Sequence, residues 1–342
     1  MVKPTVRTRI LVPGDEVPSE DFYAERSGPE ARVPLNKTAF RQAERKYKGS
    51  NIDLSEVYDF SKKQNELKSD VKLLGTWTCT DGAERPVYGI EGVEGFLYVP
   101  GALTIEEQLH FIKQSFVEYP KKPNATNLDA HFVTPSEGLF SYFKDGQECK
   151  IYSKTKEIEE VHDSKNLEEK FIRKIRWITL GYQYNWTTKE YNFDEKDFNT
   201  TFPRDLSEWT RQAAEKLGFG SDYKAEAGIV NFYQSDDTLT GHVDRSEKNM
   251  TAPLISLSIG LSAIFLLGGL SRDDGPVRAI HVRSGDLSIL SGPSRLLFHG
   301  VPKILQEQAI EYPTDFGHDS DLDTCIKLMK NCRININVRQ VI

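Results

Sequence analysis

The residues with the clearest chemical potential are His242 and Asp244 in the stretch GHVDRSE. On extended backbone, side chains at i and i+2 point the same way, so this imidazole and carboxylate can grip one cation. The pair alone also fits an ordinary surface histidine beside an aspartate. A second histidine would complete a face of two imidazoles and one carboxylate on a metal, leaving the opposite positions open for substrate and oxygen. The chain has seven histidines, and His281, His299 and His318 lie downstream. His318 falls in an acidic loop and reads as solvated. His281 sits in an apolar strand pattern and fits a core histidine. His299 follows a Gly-Pro turn and the apolar run RLLF, which puts it on a returning strand. It is the preferred third ligand.

A second set of residues could bind an anion. The run CRININVRQVI alternates Arg333, Asn335, Asn337 and Arg339 with Ile334, Ile336 and Val338. Period two means a strand whose faces meet different surroundings. One reading is an edge strand wetting its polar face. The other is a strand lining a polar cavity. Arginine offers a bidentate fork to carboxylates. The run IVNFYQ puts Asn231 and Tyr233 on one face of another strand, a donor and a phenol suited to carboxylate oxygens. Each alone also fits a turn or core position. Together with a metal, these groups would suit a small diacid such as 2-oxoglutarate, chelated at one end and held by arginine at the other.

The ordered set N-x-Y (Asn231, Tyr233), H-x-D (His242, Asp244), distal His299 and R-x-N-x-x-x-R (Arg333, Asn335, Arg339) resembles the AlkB family of Fe(II)/2-oxoglutarate dioxygenases. The runs SLSIGLSAIFLLGGL, GDLSILSGPSRLLFHG and CRININVRQ are similar in context too. The resemblance is closest to the eukaryotic branch called AlkB homologue 1. It extends through GYQYNW, KPNATNLDAH and VYDFSK, covering nearly everything after about residue 35. It implies an α+β chain: a double-stranded β-helix (jelly-roll) core, outer helices and an N-terminal helical extension. It implies that His242, Asp244 and His299 bind Fe(II), and that Asn231, Tyr233, Arg333, Asn335 and Arg339 surround 2-oxoglutarate. Arg333 and Tyr233 would take the distal carboxylate, with Arg339 and Asn231 nearer the chelating end. With O2, the implied reaction is oxidative demethylation of an N-methylated base, releasing formaldehyde, succinate and carbon dioxide. The implied substrates are N1-methyladenine in tRNA and N6-methyladenine in DNA. A protein hydroxylase or histone demethylase with the same iron site, and a non-catalytic RNA-binding module, are the alternatives.

On the substrate side, RWITLGYQYNWTTKEYNF gathers Trp177, Tyr182, Tyr184, Trp186 and Tyr191. Flat side chains can hold an unstacked base. Core aromatics would read the same way. By resemblance, Tyr182, Gln183 and Tyr184 belong to a nucleotide-recognition lid, and Arg272 is a substrate contact. Ser246 stands where the bacterial relatives carry an acid that helps bind the damaged base, so the base preference should differ. The basic runs Lys170, Arg173, Lys174, Arg176 and Arg41 to Lys48 read as phosphate contacts or as solvated helix faces.

These residues need a scaffold. A net charge of −7 over 342 residues excludes a global positive field, so nucleic acid would have to meet a local patch. Cys79, Cys149, Cys325 and Cys332 form no C-x-x-C pair and no disulfide framework, which suits a reducing compartment. The apolar run Leu254 to Leu270 is short for a membrane span, and its alternation reads as buried sheet. The start of the chain is no secretory signal and a poor transit peptide. By resemblance the nucleus or the mitochondrion is the expected location, and a monomer is expected.

Residues 1–95 form an N-terminal extension, partly helical: a loosely ordered start to about residue 35, a helix from Phe40 to Lys48, and a second short helix within Asn51 to Asp70. Residues 96–342 form the oxygenase domain. In it, Thr104 and Glu107 make a capping box before Ile105, Leu109, Ile112 and Phe116 at helical spacing. Another helix runs from Asp205 to Leu217, stopped by Gly218. After it come short turn-marked strand runs, the pattern of a sandwich or barrel. An insertion spans about 304–325, with a short helix near Thr324 to Lys330.

Overall fold

The computed structural model describes residues 35–49, 51–185, 188, 190–193, 202–306, 312 and 319–342. The start of the chain, Trp186 and His318 lie outside the described residues. The first half runs α1 (Ala39–Lys48), β1 (Val71–Thr78), β2 (Glu84–Ile90), β3 (Val93–Val99), α2 (Ile105–Val117), β4 (Ala125–Thr126), β5 (Phe132–Val133), α3 (Phe140–Lys144), β6 (Cys149–Ser153), β7 (Ile158–His162), α4 (Ser164–Lys170) and β8 (Trp177–Gly181). Then come β9 (Tyr184–Asn185), β10 (Glu190–Tyr191) and α5 (Arg204–Lys216). The last part runs β11 (Ala227–Gln234), β12 (Leu239–His242), β13 (Leu254–Gly260), β14 (Ala263–Leu267), β15 (Arg278–Val282), β16 (Leu287–Leu290), β17 (His299–Ile304), α6 (Ser320–Met329) and β18 (Cys332–Arg339). The helix expected near Thr324 begins earlier, at Ser320, inside the expected insertion.

Two antiparallel sheets position the site. Among the described residues, the larger has nine strands in the order β1-β2-β3-β16-β13-β18-β11-β8-β4. The smaller has four, β12-β17-β14-β15. One cavity is lined from both: Ser256, Arg333 and Asn335 come from the large sheet, His242, Phe265 and His299 from the small one. The last strand is no edge. β18 pairs with β11 on one side and β13 on the other. Its isoleucines and Val338 are fully buried with Phe111 and Ile112 of α2 and Leu206 and Ala213 of α5. Each such side chain contributes about 1.5–3 kcal/mol by leaving water. The alternation therefore sorts an apolar face toward the helices from a polar face toward the cavity. The register sets Arg333 opposite Tyr233 and Asn335 opposite Asn231.

The capping box is present: Thr104 Oγ1 accepts from Glu107 N at 3.2 Å, and Glu107 Oε2 accepts from Thr104 N at 2.8 Å. Gly218, at φ +83°, follows α5 in a conformation that disfavours a side chain. Two features differ from the sequence reading. Asn51 to Asp70 forms no α-helix; its only helical piece is the turn Gln64–Glu66. Asp53 Oδ1 accepts from Ser55 N at 2.8 Å and Asp59 Oδ1 from Ser61 N at 3.1 Å, local bonds that compete with a helix. The extension also supplies sheet. β1 and β2 join the large sheet through β3, and the boundary at residue 95 falls inside β3. No helix among the described residues is long and apolar enough to cross a membrane.

Candidate metal centre

β12 and β17 pair so that His242 lies directly opposite His299. Their ring centroids are 4.4 Å apart. Asp244 follows two residues beyond the end of β12. Its Oδ1 is 3.8 Å from His242 Nε2, and its Oδ2 is 3.9 Å from His299 Nε2. One donor atom from each of the three lies within 4.8 Å of the others. Both rings are held from behind: His242 Nδ1 is 3.0 Å from the Thr240 carbonyl, and His299 Nδ1 is 3.0 Å from that of Leu297. A carbonyl only accepts, so each Nδ1 carries the proton and each Nε2 offers a lone pair. Burial, helped by the neighbouring His242, pushes His299 down to about 4, so it is neutral at neutral pH. Burial raises the Asp244 carboxyl, but Arg339 and the imidazoles outweigh it and hold it well below the usual carboxylate range. Two imidazoles offering Nε2 and one carboxylate on one face fit a divalent ion of the Fe(II) type with open positions.

A buried charge network supports Asp244. Arg339 Nη2 donates to Asp244 Oδ2 at 2.6 Å, and Arg339 forms an ion pair with Glu247, its Nε 2.9 Å from Oε1. Glu247 also pairs with Arg295 at 3.2 Å, and Arg295 Nη1 reaches the Asp244 carbonyl at 3.3 Å. Sequence reasoning missed Glu247 and Arg295. Glu247 lies in an irregular segment and Arg295 in the short 3-10 helix Gly292–Leu296, and their only signal was an acid and a base flanking the two metal motifs.

Arg333 is built differently. It is 3% exposed, and its Nη1 and Nη2 donate to Leu261 O at 3.2 Å and Ser258 Oγ at 2.9 Å. Its Nε has no partner, and among the described residues no carboxylate pairs with it. Burial keeps the Tyr233 phenol protonated far above neutral pH. The cavity that holds the three metal-type ligands is thus also lined by an unneutralised cation, a phenol and Asn335. Asn335 is engaged, donating to Ser256 Oγ at 2.8 Å and Leu257 O at 3.0 Å. Asn231 opens with Tyr233 onto a neighbouring small cavity beside Arg176 and Asp237.

The expected substrate residues divide. Tyr184 sets its hydroxyl 3.3 Å from Ser246 Oγ and packs edge-on against Tyr191 at 5.2 Å. Tyr182 packs on Phe193 at 5.3 Å. Gln183 folds back on β8, donating to Gly181 O at 3.0 Å and accepting from the Thr179 hydroxyl. Arg272 donates to Gly241 O at 2.6 Å and lies over the Phe298 ring at 5.1 Å. In the basic run, Arg173 pairs with Glu168 and Arg176 with Asp237, which weakens its appeal as a phosphate patch.

Residues 95–339 match the family described as the 2OG-Fe(II) oxygenase superfamily. The chain is 36% identical to the human nucleic acid dioxygenase ALKBH1 over 310 residues, 86% of this chain and 73% of that one. It is 34% identical to the Arabidopsis thaliana DNA N(6)-methyladenine demethylase ALKBH1A, over 90% of this chain and 96% of the relative. It is 33% identical to the Schizosaccharomyces pombe tRNA demethylase abh1, over 88% and 95%. The donor set at the cavity, the diacid-ready arginine beside it and these likenesses converge: the chain belongs to the 2OG-Fe(II) oxygenase superfamily, in its AlkB homologue 1 group, whose chemistry uses Fe(II), 2-oxoglutarate and O2.

Proposed function

We propose that this chain removes N-methyl groups from adenine in nucleic acid. In this reading His242, Asp244 and His299 hold Fe(II), and Arg333 with Tyr233 holds the distal carboxylate of 2-oxoglutarate. One observation carries it: a buried cation without a carboxylate partner lines the same cavity as three convergent metal-type ligands. We read the two facing sheets as the double-stranded β-helix core expected from the sequence. Bound Fe(II) would supply the oxidising chemistry that couples decarboxylation of 2-oxoglutarate to hydroxylation of an N-methyl carbon, whose product loses formaldehyde.

The protein's own residues do the rest. The Thr240 and Leu297 carbonyls aim both Nε2 atoms at one point. Arg339 keeps Asp244 ionised and fixes its rotamer. Arg333 selects a diacid over a monoacid, because only a second carboxylate neutralises it. The Tyr184 and Ser246 hydroxyls present a neutral, polar edge near the metal strand. That edge suits a base without a fixed positive charge better than an acid would. The relatives named for N(6)-methyladenine in DNA and for tRNA support adenine in either polymer.

The test is succinate release with Fe(II) across methylated tRNA, unpaired methylated DNA and a methylated histone peptide. Turnover on nucleic acid, lost in His242→Ala, is expected. Turnover on the peptide alone would favour the protein-directed alternative, and full activity in His242→Ala would sink the iron assignment.

A further inference from the structure

We infer that α1, which lies outside the residues matched to the family, positions the metal centre by clamping the Gly241 peptide through Glu44, with Arg272 as the opposing jaw. The inference rests on the metal assignment proposed above and adds residues to it.

β12 is the edge strand of the small sheet and carries His242. Its ladder with β17 is irregular between Leu239 and His242, so Gly241 sits where regular pairing breaks. The Gly241 N–H is satisfied from outside the sheet: it donates to Glu44 Oε1 at 2.8 Å, a buried bond spanning 197 residues of sequence. The other carboxylate oxygen of Glu44 accepts from Arg41 Nη1 at 2.8 Å. On the far side of the same residue, the Gly241 carbonyl accepts from Arg272 Nη2 at 2.6 Å. Arg272 is itself tied to the helix, because its carbonyl accepts from Phe40 N at 2.9 Å. The circuit closes on itself: helix, edge strand, loop, helix.

Phe40 fills the centre of this circuit. It is fully buried and packs 6.0 Å from the ring of Phe298. A methyl group at Gly241 would come within 2.3 Å of the Phe40 ring, and one at Gly268 within 2.8 Å. Gly241 immediately precedes His242, and Phe298 immediately precedes His299. The helix therefore bears on the residue before each of the two imidazoles. Losing the Glu44 acceptor would leave a buried N–H unpaired beside His242, and the strand would shift to satisfy it. Such a shift moves a ligand, which is how supporting groups outside the ligand set affect metal affinity. In this arrangement Glu44 and Arg272 are positioning residues.

The experiment titrates Co(II) into the full chain and follows its visible absorption, with no substrate present. Glu44→Ala is expected to weaken Co(II) binding about tenfold and to change the band shape. Glu44→Gln, which keeps an acceptor for Gly241 N–H, should stay within about twofold of wild type. Tyr47→Ala removes a buried ring from the same helix without touching Gly241. It should lower the melting temperature and leave Co(II) affinity unchanged. Should Glu44→Ala fail to fold, Arg272→Ala carries the test, with the same loss expected. Wild-type Co(II) affinity and spectrum in Glu44→Ala or Arg272→Ala overturn the inference. Equal losses in Tyr47→Ala and Glu44→Ala overturn it too, by making the helix a general stabiliser. If the wild-type protein binds no Co(II), the metal assignment itself falls.

Discussion

Arg333→Met separates a residue kept for binding from one kept for folding. The guanidinium is buried, makes two hydrogen bonds to neutral acceptors and, among the described residues, has no carboxylate within ion-pair distance; Asp286 acts on it only from farther away. Burying an uncompensated charge costs several kcal/mol. Removing it forfeits two bonds worth about 1 kcal/mol each and relieves that cost. The ligand-free variant should therefore melt at or above the wild-type temperature, which is unusual for a core substitution. Binding should suffer in the opposite sense. A bidentate, charge-assisted contact to a carboxylate in this cavity is worth about 3 kcal/mol, the lower end of what two such bonds supply, or roughly 150-fold in affinity. Calorimetry with Mn(II)-loaded protein measures it directly. Wild type should prefer 2-oxoglutarate over 2-oxopentanoate, which lacks the distal carboxylate, by about that factor. Arg333→Met should bind both weakly and alike. A variant that melts several degrees lower yet still discriminates between the two acids would refute the reasoning.

Three further outcomes follow from the charges around the site. Glu247→Leu should lower the unfolding free energy in urea by about 3–5 kcal/mol, because Arg295 and Arg339 both lose a buried partner. The double variant Glu247→Leu/Arg295→Met should lose less than Glu247→Leu alone. Ser246→Asp places a carboxylate near the Tyr184 hydroxyl, so the ratio of turnover on cationic N1-methyladenine to neutral N6-methyladenine should rise, as read by product mass spectrometry. Burial pushes the Asp286 carboxyl up to about 6, against the pull of Tyr98 and two backbone N–H donors. The folded protein then keeps a proton up to pH 6 that the unfolded chain releases near 4. This stabilisation, worth about 3 kcal/mol, is complete below pH 4 and is lost as the pH climbs through 6. Asp286→Asn should abolish that part of the pH dependence, as seen by comparing melting curves at pH 7 and pH 5.

Legibility in the sequence tracked regular backbone. His242, Asp244 and His299 were readable because strands carry side chains at period two and the three types share one chemistry. The start of α2 was readable from Thr104 and Glu107, because a capping box is local. β1 was not, since its side chains are mostly exposed and show no alternation. Glu247 and Arg295 were invisible because one lies in irregular backbone and the other in a single 3-10 turn too short to show a period, and their partners come from distant parts of the chain. Glu44 was hidden in a basic helix, where an acid reads as a solvated salt-bridge partner for Arg41. Arg272 was named as a substrate contact through the resemblance, yet its guanidinium is spent on Gly241.

The two arginines of the last strand show why pattern alone stops short. Arg333 and Arg339 share a face, so period two treats them as equivalents. They lie six residues apart, however, which is about 20 Å of strand at 3.3 Å per residue. A five-carbon diacid is far shorter than that, so the pair cannot grip it symmetrically. The partners break the equivalence. Arg339 meets Asp244 and Glu247 and is neutralised before any ligand arrives, so its charge is used to fix a metal-type ligand. Among the described residues Arg333 hydrogen-bonds a carbonyl and a hydroxyl and makes no ion pair, so its charge remains for an incoming anion. Exchanging these surroundings, rather than the arginines themselves, would exchange their functions. An acid introduced at Ser258, against Arg333 Nη2, should therefore abolish diacid binding while leaving Arg333 in place and the Co(II) spectrum unchanged.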